Sequence, residues 1–153
     1  MNTQRKTTTQ AHIREVEDRM RAQFSDNPSA LVATLDQLIL AGGKRIRPAI
    51  IMLIGNMFEA ERDAIINLAA AIEMMHTATL VHDDLVDDAG HPRVQKTMNT
   101  RFSTSATVLA GDLAFAAAAQ LAAATNRTTV MRKFSETLQV IVNGEITHMF
   151  SNG

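Results

Sequence analysis

The chain has 153 residues, 46% hydrophobic and 20% charged, a balance typical of a single globular domain with a buried core. Its net charge of −1 gives no overall field that would attract nucleic acid or an anionic membrane, and the absence of cysteine excludes disulfides, thiolate metal sites and thiol catalysis. The first residues lack the apolar segment of a signal peptide, and polar residues interrupt the apolar runs, so we expect a cytoplasmic protein without stable membrane insertion.

The predicted elements are all helical, because strand-forming residues are sparse. Only six residues are aromatic, and all of them are phenylalanine. A disordered tail is expected over residues 1–9, and residues 10–153 are expected to form one all-α helical bundle. Ser29 or Asn27 is expected to cap the second helix, and Pro48 suits the first turn of the third. The expected helices are approximately 10–24, 29–41, 48–58, 60–86, 103–124 and 128–150, with a loop over 89–100.

An acidic cluster ends the fourth predicted helix in the stretch "LVHDDLVDD". Asp83, Asp84 and Asp87 share one helix face, where like charges repel and the helix dipole is already negative. Oxygen-only ligands at this spacing suit Mg²⁺, which often fills its open positions with substrate phosphates. The alternative is a solvated acidic helix end, which the apolar segment before it disfavours. Taken alone, His76 and His82 are better explained as half-buried, hydrogen-bonded histidines than as ligands.

A basic cluster follows the second predicted helix in "GGKRIRP". Gly42 and Gly43 allow the backbone to approach an anion, and Lys44 and Arg47 supply a point charge and a planar fork that suit a diphosphate. An equally good interpretation is a helix end in which the glycines stop the helix and Lys44, Arg45 and Arg47 interact with its negative pole.

Three motifs in order, "GGKRIRP", "EMMHTATLVHDDLVDD" and "VLAGD", resemble those of the trans-isoprenyl diphosphate synthases, the polyprenyl synthetase family. The resemblance extends from about Leu31 to His148. It implies the all-α isoprenoid synthase fold and a prenyltransferase that condenses isopentenyl diphosphate with an allylic diphosphate. The allylic diphosphate ionises, the isopentenyl double bond attacks, and a proton is lost.

The resemblance also assigns roles to residues. Asp83, Asp84 and Asp87 occupy the positions that bind Mg²⁺ and through it the allylic diphosphate, with Asp83 and Asp87 as the direct, catalytic ligands. The residues matched to binding of isopentenyl diphosphate are Lys44, Arg47, His76 and Arg93.

Product length is expected to be long. The family closes its product cavity with a bulky aromatic residue shortly before the first aspartate, and here those positions hold the small Ala78 and Thr79. The segment Ala116–Ala119 adds space, and Met75 is the expected floor.

Three departures from the family pattern stand out. Pro92 replaces the first of two arginines that follow the aspartates, while Arg93 matches the second. The later "GExxQ" motif reads "GEITH", which keeps Glu145 and places His148 at its last position. No aspartate follows Asp112, so the family's second aspartate-rich motif is absent.

The chain therefore corresponds to the amino-terminal half of the family fold. The second half of the site is expected from missing sequence or from a partner chain, in a homo- or hetero-oligomer. The alternative function is a non-catalytic small or regulatory subunit of a heteromeric polyprenyl diphosphate synthase.

Overall fold

The computed structural model describes residues 2–41, 43–86 and 102–151 of the chain. Within these ranges it has six α-helices and no β-strand, which confirms the predicted all-α class. The predicted loop at 89–100 lies outside the described residues. The helices are α1 (Asn2–Ala22), α2 (Ser29–Leu40), α3 (Ile46–Met57), α4 (Arg62–Val86), α5 (Thr104–Ala123) and α6 (Thr128–Ser151).

The first helix begins earlier than the sequence predicted. The backbone is helical from Asn2, where we expected a disordered tail as far as Thr9. Helix formation has a costly nucleus, whereas each added residue gains one hydrogen bond. The amphipathic segment after Gln10 supplies that nucleus, and the polar residues before it contain neither proline nor glycine to stop the helix.

The amino-terminal cap of α2 also differs from the prediction. The cap residue is Pro28, and neither Ser29 nor Asn27 supplies a side-chain cap. The Pro28 carbonyl oxygen accepts hydrogen bonds from the backbone N–H groups of Leu31 and Val32, each at 3.0 Å. The proline φ of −55° is already close to the helical value, so the helix starts without a polar side chain.

The central helix is α4, which packs most extensively against α5 and also against α3 and α1. Ala70 and Ala78 of α4 are fully buried, as are Ala114 and Ala118 of α5. Small side chains on both helices let the two backbones approach closely. One apolar core includes residues of all six helices, among them Val16, Leu35, Met52, Ile66, Leu121 and Phe134.

Within the described ranges, two helices are long and apolar enough to span a membrane, namely residues 62–83 of α4 and the whole of α5. The most apolar windows of these helices are 61% and 44% buried inside the protein. Core helices of globular proteins have the same length and apolarity, so these two properties do not separate a membrane span from a buried helix here.

Among the described residues, large apolar side chains are exposed most extensively on α3 and α6. On α3 and just after it, Leu53, Met57 and Phe58 are 64%, 71% and 79% exposed. On the second half of α6, Val140 and Phe150 are 71% and 82% exposed.

Candidate functional site

The turn between α2 and α3 carries the basic cluster. Gly43 has a φ of +69° and Arg45, the cap residue of α3, has a φ of 51°. Glycine adopts this left-handed conformation freely, whereas a side-chain-bearing residue loses about 1–2 kcal/mol in it. Arg45 must therefore be held in place by its contacts. Gly42 lies outside the described residues.

A cavity of about 410 Å³ lies between this turn and the middle of α4. We call it the basic cavity. Its walls include Lys44, Arg47 and His76, three of the four residues assigned to binding a diphosphate. The structure thus brings together residues that are separated in the sequence. The fourth, Arg93, lies outside the described residues. Leu38 and Leu80 add apolar surface to the same walls.

Arg45 is the buried member of the basic cluster. Its side chain is 7% exposed. The Nε atom donates to Glu17 Oε1 of α1 at 2.9 Å, and one terminal nitrogen donates to Glu73 Oε2 of α4 at 3.1 Å. The other terminal nitrogen donates to the Ile39 carbonyl oxygen. These bonds tie the turn to three helices and offset the strain at Arg45.

Glu73 is a site residue that sequence reasoning missed. Its carboxylate is 2% exposed and faces both arginines, with Oε1 lying 3.4 Å from a terminal nitrogen of Arg47. Arg47 is half exposed and lines the basic cavity. The sequence did contain a signal for this role, namely a charged residue within the apolar stretch "LAAAIEMM". Such a residue is expected to be buried, and a buried carboxylate needs a cationic partner.

The imidazole of His76 is held neutral by its surroundings. Burial lowers the pKa of His76, and the nearby positive charges of Arg47 and Arg45 lower it further, against an opposing effect of Glu73. A neutral His76 can donate one hydrogen bond from its protonated ring nitrogen and accept another at the second nitrogen.

The lowered pKa of His76 predicts a loss of stability in acid. The unfolded chain binds a proton on this histidine below about pH 6.5, whereas the folded chain binds it only at lower pH. The stability contributed by neutral His76 is thus present above about pH 6.5 and is lost as the pH falls below it. Acidification from about pH 7.5 to about pH 5.5 should lower the unfolding midpoint in urea more for the wild type than for His76→Gln. Identical pH profiles for the two proteins would contradict this assignment.

A second cavity, of about 290 Å³, lies between α4, α5 and α6. Asp83 and Thr79 of α4 line it, together with Glu145 of α6. His76 and Asp83 share one face of α4 and are two turns apart, about 10 Å along the helix axis. The two cavities are therefore close enough for one small molecule to reach both.

The predicted metal ligands are only partly described. Asp83 is half buried in the last turn of α4, the Asp84 side chain is not described, and Asp87 lies outside the described residues. No group of three metal-binding side chains occurs among the residues that the structure describes. Asp83 and Glu145 supply carboxylate oxygens at one cavity, and such oxygens suit a hard divalent cation. His82 and Met149 line the same cavity, and His82 Nε2 lies 3.2 Å from both the Val108 carbonyl oxygen and Asp112 Oδ1.

The expected chain-length residues separate into two groups. Met75 and Ala78 are buried in the core, and neither lines the two cavities described above. Only Thr79 faces the second cavity, and its hydroxyl donates to the His76 carbonyl oxygen at 2.7 Å. Pro92 lies outside the described residues, and His148 lies on α6.

The motif "VLAGD" supports the histidine that precedes the aspartates. His82 Nε2 lies 3.2 Å from both the Val108 carbonyl oxygen and Asp112 Oδ1, and its ring packs on Phe115 with a centroid distance of 5.3 Å. The ring also lies against Gly111, where a Cβ would overlap it. His82 is therefore the half-buried, hydrogen-bonded histidine that the sequence predicted. The roles of Gly111 and Asp112 were not predicted.

Gly111→Ala is expected to lower the free energy of unfolding. The added methyl group overlaps the His82 ring, and such overpacking costs about 1–3 kcal/mol against a gain of about 1 kcal/mol in helix propensity. In a His82→Ala background the overlap is gone, and the same substitution should raise stability. Urea unfolding of the four proteins measures both effects. A stabilising effect in the wild-type background would show that the close approach is absent.

Comparisons with known proteins agree with this geometry. Residues 28–153 match the family described as Polyprenyl synthetase. The octaprenyl diphosphate synthase of Escherichia coli (strain K12) is 38% identical over 114 residues, which cover 74% of this chain and 35% of that protein. The chain thus spans about a third of the length of this curated relative.

Two solved structures have a similar fold. A decaprenyl diphosphate synthase from Rhodobacter capsulatus superposes with a TM-score of 0.80 at 29% identity, covering 95% of this chain and 45% of that one. A polyprenyl synthase from Caulobacter crescentus CB15, complexed with calcium and isoprenyl diphosphate, superposes with a TM-score of 0.78 at 30% identity, covering 92% and 43%. The predicted isoprenoid synthase fold is confirmed over the part of the chain that superposes.

Proposed function

Because this chain belongs to the polyprenyl synthetase family, we propose that it carries the first half of the active site of a trans-prenyl diphosphate synthase. The reaction is the condensation of isopentenyl diphosphate with an allylic diphosphate. The observation that carries the proposal is the convergence of Lys44, Arg47 and His76 on one cavity, with Asp83 two turns further along the same helix.

The basic cavity suits the diphosphate of isopentenyl diphosphate. Lys44 and Arg47 supply two cationic donors, and the fork of Arg47 can bind two oxygens at once. Neutral His76 adds a hydrogen bond without needing a counter-ion of its own. The apolar side chains of Leu38 and Leu80 offer a surface for the short hydrocarbon part of the substrate.

The acidic end of α4 suits the allylic substrate. Asp83, Asp84 and Asp87 would hold Mg²⁺ there, with Glu145 on the facing wall of the second cavity. The chemistry supplied by bound Mg²⁺ is stabilisation of the charge that develops on the departing diphosphate. The protein positions the two substrates, and the proton lost at the end comes from the isopentenyl unit.

We further propose that the product is a long polyprenyl chain. Two of the three relatives named above are octaprenyl and decaprenyl diphosphate synthases. The small side chains of Ala78 and Thr79 support the same conclusion. Of these two residues, Thr79 lines the second cavity and Ala78 is buried in the core.

The facing wall of the site is expected from elsewhere, either from further sequence or from a partner chain. The two relatives are about twice as long as this chain, and no second aspartate-rich motif occurs in it. The uncovered apolar side chains on the second half of α6 lie beside the second cavity and support this proposal.

The test is elongation of an allylic primer with radiolabelled isopentenyl diphosphate in the presence of Mg²⁺. The chain is assayed alone and together with a second chain that carries the later aspartate-rich motif. Elongation in either case supports the proposal, and its absence in every pairing would contradict it.

A second function, a non-catalytic subunit that regulates a complete synthase, is favoured by Pro92 in place of a substrate-binding arginine. It predicts that replacing Asp83 leaves the activity of a partner synthase unchanged. The activity of a partner synthase with an Asp83 variant therefore distinguishes the catalytic function from the regulatory one.

A further inference from the structure

Glu73 connects the buried arginine of the turn to the arginine of the basic cavity. Its carboxylate is 2% exposed, and its two oxygens have separate partners. Oε2 accepts from Arg45 at 3.1 Å, and Oε1 accepts from Arg47 at 3.4 Å. A buried carboxylate is costly unless both oxygens are satisfied, so each arginine contributes to its stability.

The charges of this group balance only when Arg47 is included. Arg45 already has two carboxylates beside it, Glu17 and Glu73. Without Arg47, the group would contain one cation and two anions, one of them almost completely buried. The attraction of the spare negative charge therefore holds Arg47 beside Glu73.

Arg47 remains able to bind an anion in this position. Its hydrogen bond to Glu73 is its one hydrogen bond among the described residues, and it involves one terminal nitrogen. Half of the side chain is exposed, on the wall of the basic cavity. An arginine that is already ordered loses less rotamer entropy when a ligand binds.

We propose that Glu73 is a positioning residue, which holds the Arg47 guanidinium at the wall of the basic cavity so that it is ordered before a diphosphate binds. This inference rests on the proposed function, because it assumes that the basic cavity binds a diphosphate. Two other roles of Glu73 give different results. If Glu73 only stabilises Arg45, replacing Glu73 changes pyrophosphate affinity by the same factor whether or not Arg47 is present. If Glu73 acts only through its negative charge, removing that charge tightens anion binding.

The experiment is a double-mutant cycle read by calorimetric titration with inorganic pyrophosphate, which requires no turnover. Glu73→Asp keeps the charge next to Arg45 but shortens the side chain, so that the longer contact to Arg47 is lost. We expect pyrophosphate to bind about tenfold more weakly to Glu73→Asp and to Arg47→Gln, and the double variant to bind no more weakly than Arg47→Gln alone.

Glu17→Asp is the matched control, because Glu17 pairs with Arg45 and makes no hydrogen bond or ion pair with Arg47 among the described residues. It should leave pyrophosphate affinity within about twofold of the wild type. Glu73→Gln provides a second test, because it keeps the volume and removes the charge. Weaker binding by Glu73→Gln supports positioning, and tighter or unchanged binding overturns it.

The remaining outcomes separate the two proposals. Additive losses in the cycle, or a loss for Glu17→Asp as large as that for Glu73→Asp, overturn the positioning role and leave the proposed function standing. Absence of pyrophosphate binding by the wild-type chain, with a circular dichroism spectrum that shows it folded, overturns both.

Discussion

Arg45→Met should lower the free energy of unfolding by about 3–5 kcal/mol, the usual cost of breaking a buried ion pair from one side. The substitution leaves Glu73, 2% exposed, without its closest cation, and it removes the donors to Glu17 and to the Ile39 carbonyl oxygen. Methionine has a similar length, so lost packing contributes little. Equilibrium unfolding in urea, followed by circular dichroism, measures the change.

Arg47→Met is the control for this experiment, because Arg47 pairs with the same carboxylate from a side chain that is 50% exposed. Solvent screens the charge of Arg47, so its loss should reduce stability by no more than about 1 kcal/mol. Pyrophosphate binding should show the reverse order once both proteins are folded. Equal losses of stability for the two variants would contradict the assignment of Arg45 to structure and Arg47 to binding.

Asp83→Asn should reduce Mg²⁺-dependent elongation by about 10²–10³-fold in a preparation where the wild-type chain is active. The amide keeps the size of the side chain but removes the charge that a hard cation requires. Asp87→Asn is expected to have an effect of similar size. Raising the Mg²⁺ concentration should restore part of the activity, because the loss acts through weaker metal binding. Incorporation of radiolabelled isopentenyl diphosphate is the measurement.

Asp88→Asn is the matched control in the same acidic stretch. Asp88 falls outside the motif, and we expect its replacement to leave elongation unchanged. If Asp88→Asn and Asp83→Asn reduced activity equally, the effect would come from the total charge of the helix end, and the metal assignment would be wrong. If neither variant changed the activity of a partner synthase, the regulatory function would be favoured.

Much of the helical framework could be predicted from the sequence. Apolar periodicity placed α4, α5 and α6 within about two residues of their observed ends. The carboxyl end of α2 was marked by the glycines that follow it. The errors occurred at amino-terminal ends, in α1 and at Pro28 before α2, where several polar residues were equally suitable caps or starts. The residue at which such a helix begins depends on the local geometry of the chain just before it.

The residues proposed to bind a diphosphate were assigned from motifs, and the structure places three of them, Lys44, Arg47 and His76, around one cavity. The motif could not show that Arg45 is buried whereas Arg47, two residues away, is half exposed. Arg45 has a left-handed backbone, and its side chain pairs with Glu73 on α4. The burial of Arg45 depends on its ion pair with Glu73, which lies on another helix.

What the sequence by itself determined is the type of each element and the residues that carry charge to the site, because helix periodicity and motif spacing are local properties of the chain. Only the tertiary structure decided which of those charges are buried. Glu73 lies inside the protein, His82 packs against Gly111, and Ala78 belongs to the core instead of a cavity wall. The physical reason is that burial and ion pairing join residues far apart in the sequence, and their energies depend on which surfaces the packed helices bring together.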